Sequence, residues 1–240
     1  MTTQTGMRVD LSHSSKDDLL AMKLAGEEVM ACLGAIGRSG SNPVGRILKH
    51  AGPFYEESHY PDDDVSDKES GSQYYYHAHR GTDEHGHFHT FVRATGIPGG
   101  IEPAPYSGQS DRPLGSDAIC HLIAVSMNAN GLPIGLFTTN RWVTAESFYG
   151  ASDTIRILEN FNVDHAEPCW ATNRWLTGLL KLFRPQIIAL IEQRDAAIEK
   201  WAKEHPGDVF EDRELEVTSE AAIDIDDQIE AVDHELAKRP

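Results

Sequence analysis

The sequence has few cysteines, no long apolar run and no recognisable export signal. Its 240 residues contain three cysteines, Cys32, Cys120 and Cys169, which lie far apart and show no C-x-x-C spacing. This pattern argues against a disulfide framework and favours a reduced protein. No segment has the length and hydropathy of a membrane span, and the first residues lack the basic and apolar blocks of a signal peptide. We therefore expect a cytoplasmic protein.

Positive charge is scarce as well. The chain has 21 Lys and Arg residues against 38 Asp and Glu residues, which gives a formal net charge of −17. Such a chain repels phosphate backbones and anionic lipid headgroups, so neither nucleic acid nor a membrane surface is expected as a partner. Hydrophobic residues make up 40% of the sequence, which is enough for a substantial core.

Histidine is concentrated in residues 71–93, which hold five of the twelve histidines. They include two H-x-H pairs, His77/His79 and His87/His89. The β-forming residues around both pairs predict two strands joined by a polar turn. Because side chains alternate between the faces of a strand, each pair points to one side of the predicted hairpin.

The hydrophobic pattern predicts how the two strands pair. A turn centred near Asp83 places His79 opposite His87 and His77 opposite His89. Directly opposed Cβ atoms are about 4.5–5.5 Å apart, so four imidazoles would converge on one patch. A shift of two residues keeps all four on one face, whereas a shift of one separates the pairs.

Converging imidazoles favour a metal site, because neutral imidazole binds Zn, Fe, Cu and Ni. Glu84 in the connecting loop could add an oxygen ligand, and His59 could lean over the same face. His121, at the start of a later strand, is a further candidate. The predicted metal ligands are His77, His79, His87, His89, Glu84 and His121. The alternative is a polar face whose histidines hydrogen-bond to tyrosines and water.

Residues 71–84 resemble the first metal motif of the cupins, G-x5-H-x-H-x3-4-E. The resemblance implies His77, His79 and Glu84 as ligands in a β-barrel. It covers about fourteen residues, Phe91 stands where the motif has its closing glycine, and the second cupin motif lacks its histidine. We interpret it as a similar ligand spacing rather than as membership.

A second hairpin is predicted from the β-rich runs 119–127 and 132–139. Asn130-Gly131 between them is typical of a type I′ turn, and this turn pairs Ile123 with Thr138. The polar segment 138–146 then leaves the strand and could present groups into a cleft. The Gly- and Pro-rich residues 96–113 predict a covering loop, and the acidic residues 51–71 predict a second long loop.

These elements predict an α+β fold with an antiparallel sheet of about four strands, built from the two hairpins. Helices are expected on its apolar face, with Pro185 breaking the last long helical segment, and the His-rich face lies opposite. We divide the chain into a flexible N-terminus (1–13), one domain (14–205) and an acidic appendage (206–240). The appendage carries an amphipathic helix, which either docks on the domain, joins two subunits as a homodimer or stays disordered.

The favoured function is a metal-dependent enzyme that acts on a small, anionic substrate. Arg93 and Arg141 would orient the substrate, Tyr75 would donate a proton or stabilise an oxyanion, and Glu84 would accept a proton. Iron is the preferred divalent transition metal, ahead of zinc or manganese. An oxygenase-like reaction is accordingly slightly favoured over zinc-dependent hydrolysis.

Two alternatives belong to other classes of protein. A closed site with all four histidines would suit a non-catalytic metal- or heme-binding or sensing protein. Histidines that hydrogen-bond without a common focus would instead indicate a binding module with no metal.

Overall fold

The chain is organised around one antiparallel sheet. The computed structural model describes residues 7–81 and 84–239, and within them six strands follow one another across the sheet in chain order. The strands are β1 Tyr60–Ser66, β2 Ser72–His77, β3 Gly86–Arg93, β4 Ile119–Met127, β5 Pro133–Thr139 and β6 Val217–Ala222. The helices are α1 Lys16–Gly37, α2 Pro43–Leu48, α3 Arg141–Thr144, α4 Ala151–Leu158, α5 Trp170–Leu182, α6 Arg184–Glu204 and α7 Ile225–Ala237. The predicted α+β class is confirmed.

The predicted count of about four strands is too low by two. The missed strands, β1 and β6, are the outer strands of the sheet, and both lie in segments that the sequence marks as acidic. Outer strands carry charged side chains that discourage pairing with other chains, so these two lack the apolar run of an inner strand. Residues 51–71, expected to be a loop, therefore contain β1.

The first hairpin has a different register from the predicted one. His77 pairs with His87, and His89 lies opposite Tyr75. The predicted pairing of His79 with His87 and of His77 with His89 was wrong by two residues. Because side chains alternate with a period of two, this shift leaves the strand histidines on their predicted face.

Gly86 accounts for this register. A Cβ atom at Gly86 would lie 2.6 Å from the carbonyl oxygen of His77 and 2.5 Å from the hydroxyl of Tyr76. Only glycine allows β3 to approach the end of β2 so closely, and its position brings the next residue, His87, opposite His77. The predicted turn centre, Asp83, lies outside the described residues.

The second hairpin keeps its predicted register at its centre, where Ala124 pairs with Phe137. Its turn differs from the prediction. The carbonyl of Asn128 accepts the N–H of Gly131, and Gly131 has φ +71° whereas Asn130 does not have a positive φ. A type I′ turn needs positive φ at both central residues, so the connection is a longer loop.

Helices cover one face of the sheet. The ring of Trp175 in α5 lies 5.7 Å from the ring of Phe88 in β3, so the side chains next to Phe88 along β3, His87 and His89, point to the other face. The long helical segment breaks before Pro185 as predicted, because α5 ends at Leu182 and α6 begins at Arg184. None of the helices in the described ranges is both long and apolar enough to span a membrane.

Residues 206–240 contribute an outer strand and a packed helix. β6 pairs with β5, and α7 lies against α1. Val232 shares a small core with Leu19 and Met22 of α1, and Ile229 reaches within 3.0 Å of the Cβ position of Gly26. The apolar stripe of α7 therefore docks on the domain of its own chain.

Candidate metal centre

Three histidines of the first hairpin meet on the sheet face opposite α5. His77 is the last residue of β2, and His87 and His89 lie near the start of β3. Alternation puts His87 and His89 on one face, and the pairing of His77 with His87 places the three side by side. One ring nitrogen from each lies within 4.8 Å of the others. This group, the histidine triad, could hold a metal ion.

The triad is buried and contains an unsatisfied nitrogen. His87 and His89 are fully buried, and His77 is 9% exposed. Nε2 of His89 has no hydrogen-bond partner among the described residues. A buried polar atom without a partner costs about 1–3 kcal/mol. A bound cation would satisfy this nitrogen, so the donor set fits a metal.

His121 reaches the triad through an irregularity in the pairing of β3 with β4. Its Nε2 lies 2.9 Å from Nδ1 of His89. The register between β3 and β4 shifts after Thr90, so that His121 pairs with Phe91. Without the shift His121 would pair with Val92, whose side chain lies on the face covered by helices. The irregularity therefore turns His121 onto the face of the triad.

Glu84 fixes the orientation of His87. Its Oε1 lies 2.5 Å from Nδ1 of His87. Burial raises the pKa of Glu84, but its hydrogen bonds with His87 and Ser126 and the charge of Arg80 outweigh it and keep that pKa below its ordinary value. An ionised carboxylate can only accept, so Nδ1 of His87 donates.

The inner nitrogen of His87 then carries the lone pair of the ring, as a metal ligand requires. Burial lowers the pKa of His87 despite the opposing effect of Glu84, so the ring is neutral and its Nε2 carries a lone pair. This Nε2 accepts from Nε2 of His77, 2.7 Å away. Metal-binding histidines have the same arrangement, with the outer N–H donated to a carboxylate.

Burial also keeps the other histidines neutral. Together with the charges of neighbouring histidines, it lowers the pKa of His77 to about 2. Together with the charge of Arg194, it lowers the pKa of His121 to about 3. The pKa of His89 is lowered far below its ordinary value for the same reason. Neutral imidazole is the form that binds a metal, so the triad is in its binding state at pH 7.

The other predicted ligands surround the triad at different distances. Glu84 and His121 hydrogen-bond to the outer nitrogens of His87 and His89 and so orient them. His79 lies past the end of β2, with its ring centroid 4.8 Å from that of His77 and 5.1 Å from that of His87. The side chain of His79 is 25% exposed. The structure thus assembles a triad with His79 beside it, rather than the predicted tetrad.

Tyr75 and His59 form one wall of the site. Their rings stack at a centroid distance of 3.6 Å, and the Tyr75 ring lies 5.2 Å from that of His77 and 5.3 Å from that of His89. Burial raises the pKa of the Tyr75 hydroxyl, which stays protonated. The expected position of His59 over this face is confirmed, since its ring meets that of His77 at 5.6 Å.

Arg93 ends a hydrogen-bonded chain that leads to His59. Its Nε donates to Oε1 of Gln73, and Nε2 of Gln73 donates to Asp64 at 2.6 Å. The other carboxylate oxygen of Asp64 lies 3.1 Å from Nδ1 of His59. The structure thus connects Arg93 to the wall of the site, not to the triad itself.

Arg141 is buried and uses its guanidinium within the chain. Its Nε donates to the carbonyl of Glu146 at 3.1 Å, its Nη1 pairs with Glu211, and its Nη2 donates to the carbonyl of Asp111 at 2.5 Å. All three nitrogens therefore have protein partners, and the side chain holds neighbouring loops together.

Sequence reasoning missed Arg80, which directly follows the first H-x-H pair. Its guanidinium lies 4.2 Å above the ring of Phe137, and it pairs with Glu84 at 3.7 Å and with Glu220 at 3.2 Å. The sequence signal that could have identified Arg80 is its position as a basic residue four positions before Glu84. Arg80 closes the site on the side away from His59.

A cleft of about 560 Å³ opens beside Glu84. It is lined mainly by residues of β4, β5 and β6, together with the charged side chains of Arg80, Glu84 and Glu220. The lining residues are Arg80, Glu84, Ser126, Ile134, Gly135, Leu136, Phe137, Glu220, Ala221 and Ala222. None of the three triad histidines lines this cleft, so a small molecule in it would be connected to the triad through Glu84, which bonds to His87.

Comparison with known families identifies the chain. Residues 23–223 match the family described as Domain of unknown function (DUF6969). The chain belongs to this family. No curated protein and no solved structure matches it. The DUF6969 segment contains all six strands of the sheet, and with them the triad, Glu84 and His121.

Glu84 of this DUF6969 protein is expected to increase metal affinity. Replacing Glu84 with alanine removes the carboxylate that orients His87, and we expect metal affinity to fall about 10–100-fold. Glu84→Gln keeps an acceptor oxygen and should lose less. A competition titration against a chromophoric chelator measures both.

Glu220→Gln is the matched control, because Glu220 contacts Arg80 but not His87. It should bind metal as the unsubstituted protein does. Unchanged affinity in Glu84→Ala would show that Glu84 does not position a ligand.

Proposed function

We propose that the protein is a metal-dependent enzyme in which His77, His87 and His89 hold a divalent transition metal. The observation that carries this proposal is the buried, unsatisfied Nε2 of His89, which belongs to a triad of neutral imidazoles. Three protein ligands leave coordination positions open, as catalytic sites require. The cleft beside Glu84 would give a small substrate a place close to the site, on the far side of Glu84.

The donor set bears on the choice of metal. Mononuclear iron oxygenases typically use two histidines and one carboxylate, whereas three histidines are a ligand set of catalytic zinc. Since Glu84 is engaged by His87, we propose zinc first and iron second. Bound to the triad, either metal would act as a Lewis acid, and zinc would also lower the pKa of a coordinated water.

The protein groups around the triad have distinct roles in this proposal. Glu84 and His121 orient two ligands through their outer nitrogens. Tyr75, protonated and within ring contact of His77 and His89, would donate a hydrogen bond to a developing negative charge. Arg80 would hold the carboxylate of Glu84 in place through their ion pair.

A second candidate function is non-catalytic metal binding or sensing. The position of His79 supports it, because its ring lies about as close to His77 and His87 as they lie to each other. A small rotation of His79 would add a fourth imidazole and close the site.

Cobalt substitution separates the two candidates. Full-length protein is stripped with chelator, loaded with Co²⁺ and titrated with azide while its visible spectrum is recorded. An open site takes up azide and its d–d bands change, which is the outcome we expect. A closed site leaves the bands unchanged, and His79→Ala should then restore the response. A spectrum that shows no bound Co²⁺ at all would contradict both functions.

A further inference from the structure

Buried polar atoms without partners are concentrated near the end of β5. In the part of the chain that the structure describes, these atoms include Oγ1 of Thr139, Oγ1 of Thr144, Oε1 of Glu146, and Nε and Nη2 of Arg112. Native proteins pair most of their buried polar groups. Water or another bound molecule would have to supply the partners of such a local excess of unpaired donors and acceptors.

Arg112 is held with one edge free. Its guanidinium carbon lies 3.5 Å from the centre of the Tyr106 ring and 4.7 Å from that of the Phe210 ring, and these contacts fix its plane. Nη1 donates to the carbonyl of Ser147 at 3.4 Å. Nε and Nη2 form the opposite edge, which is buried and finds no acceptor within the described ranges. Two parallel donors on one edge are the geometry that binds a carboxylate.

Arg141 supports Arg112 rather than competing with it. Its Nη2 donates to the carbonyl of Asp111, the residue before Arg112, at 2.5 Å. Its Nε donates to the carbonyl of Glu146, the residue before Ser147, at 3.1 Å. Arg141 thus ties together the two chain segments between which Arg112 lies. The sequence pointed to Arg141, together with Arg93, as an anion-binding residue, but of Arg141 and Arg112 only Arg112 has a free edge.

Glu146 connects this place to the triad. It is fully buried, and its Oε2 accepts the backbone N–H of His121 at 2.7 Å. The ring of His121 hydrogen-bonds to His89. Oε1 of Glu146 has no donor among the described residues, so the ionised carboxylate would accept from a hydroxyl or amino group.

We propose that the free edge of Arg112 binds the carboxylate of a small molecule, and that Glu146 accepts a hydrogen bond from a hydroxyl or amino group of the same molecule. The ligand class is accordingly a small hydroxy- or amino-carboxylate. Neither residue lines the cleft beside Glu84, so this is a second site, separate from the substrate cleft of the proposed function, and it consists only of protein groups.

Calorimetric titration with lactate and with acetate tests this site in full-length protein, both stripped of metal and metal-loaded. We expect lactate to bind at one site and acetate, which lacks the hydroxyl, to bind at least about tenfold more weakly, since a buried acceptor left unpaired costs about 1–3 kcal/mol. Arg112→Lys keeps the charge but loses the two-donor edge, and it should weaken lactate about tenfold or more. Arg156→Gln, on the exposed surface of α4, is the matched control and should change nothing.

A measurement on the unsubstituted protein covers the case in which Arg112 variants fail to fold. Lactate should shift an arginine Nε–H resonance in ¹⁵N NMR spectra, and that resonance should be the one that responds to acetate. Saturable binding that survives Arg112→Lys unchanged would overturn the proposal, as would no binding of either acid. If the stripped protein binds lactate but never takes up metal, the carboxylate site stands and the metal function is refuted.

Discussion

Replacing either His87 or His89 with alanine is expected to abolish metal binding. Each residue supplies one of the three nitrogens that lie within 4.8 Å of one another. Loss of a hydrogen-bond partner of a metal ligand already costs about 10–100-fold in affinity, so loss of a ligand should exceed about 100-fold. Metal content per chain, measured by inductively coupled plasma mass spectrometry on untagged protein purified without chelator, should fall from about one equivalent to background.

The control for this experiment is His234→Ala, an exposed histidine of α7 that lies outside the triad. It should keep the full metal content, and circular dichroism should show that all three variants are folded. If both His87→Ala and His89→Ala retain one equivalent of metal, the metal site lies elsewhere in the protein. The metal found in the unsubstituted protein also distinguishes zinc from iron.

The metal-free protein is expected to lose stability steeply as the pH falls below about 6.5. An unfolded histidine takes up a proton near pH 6.5, whereas burial holds the folded pKa of His77 at about 2 and that of His121 at about 3. Below pH 6.5 the unfolded state therefore binds more protons, and stability falls as the pH falls. Each such histidine contributes about 1.4 kcal/mol per pH unit, so these two remove about 5 kcal/mol between pH 6.5 and 4.5.

Glu146 opposes this trend. Burial raises its pKa to about 7, so over the range from its ordinary value to pH 7 the folded state binds more protons and is favoured by acid. One carboxyl offsets at most about 3 kcal/mol. His87 and His89, whose pKa values are also lowered by burial, add to the loss from His77 and His121. The histidines therefore outweigh Glu146, and the net effect of acid is to destabilise the metal-free protein.

Urea unfolding of chelator-treated protein at half-unit steps from pH 8 to 4.5 measures this dependence. His121→Gln should reduce the slope by about 1.4 kcal/mol per pH unit, because it removes one buried titrating ring. Glu146→Gln should make the slope below pH 6.5 steeper, because it removes the opposing contribution. A free energy of unfolding that stays constant between pH 6.5 and 5 would show that the histidines are not buried in their neutral form.

The sequence by itself determined that His87 and His89 share one face of their strand. His-x-His spacing within β-forming residues requires this whenever the strands form, because side chains alternate with a period of two. The α+β class and the break before Pro185 were likewise local consequences of patterning and of proline geometry. β1 and β6 were not predicted from the sequence, because outer strands carry charged residues that resemble those of loops.

Only the tertiary structure decided which groups meet. The close contact between Gly86 and the end of β2 selects His87 as the partner of His77, and an irregularity after Thr90 turns His121 towards His89. Arg112 acquires its free edge from rings at positions 106 and 210, which are distant in sequence. Such contacts depend on how close two segments come and on how their pairing is offset, and neither quantity is encoded in the spacing of residues along one strand.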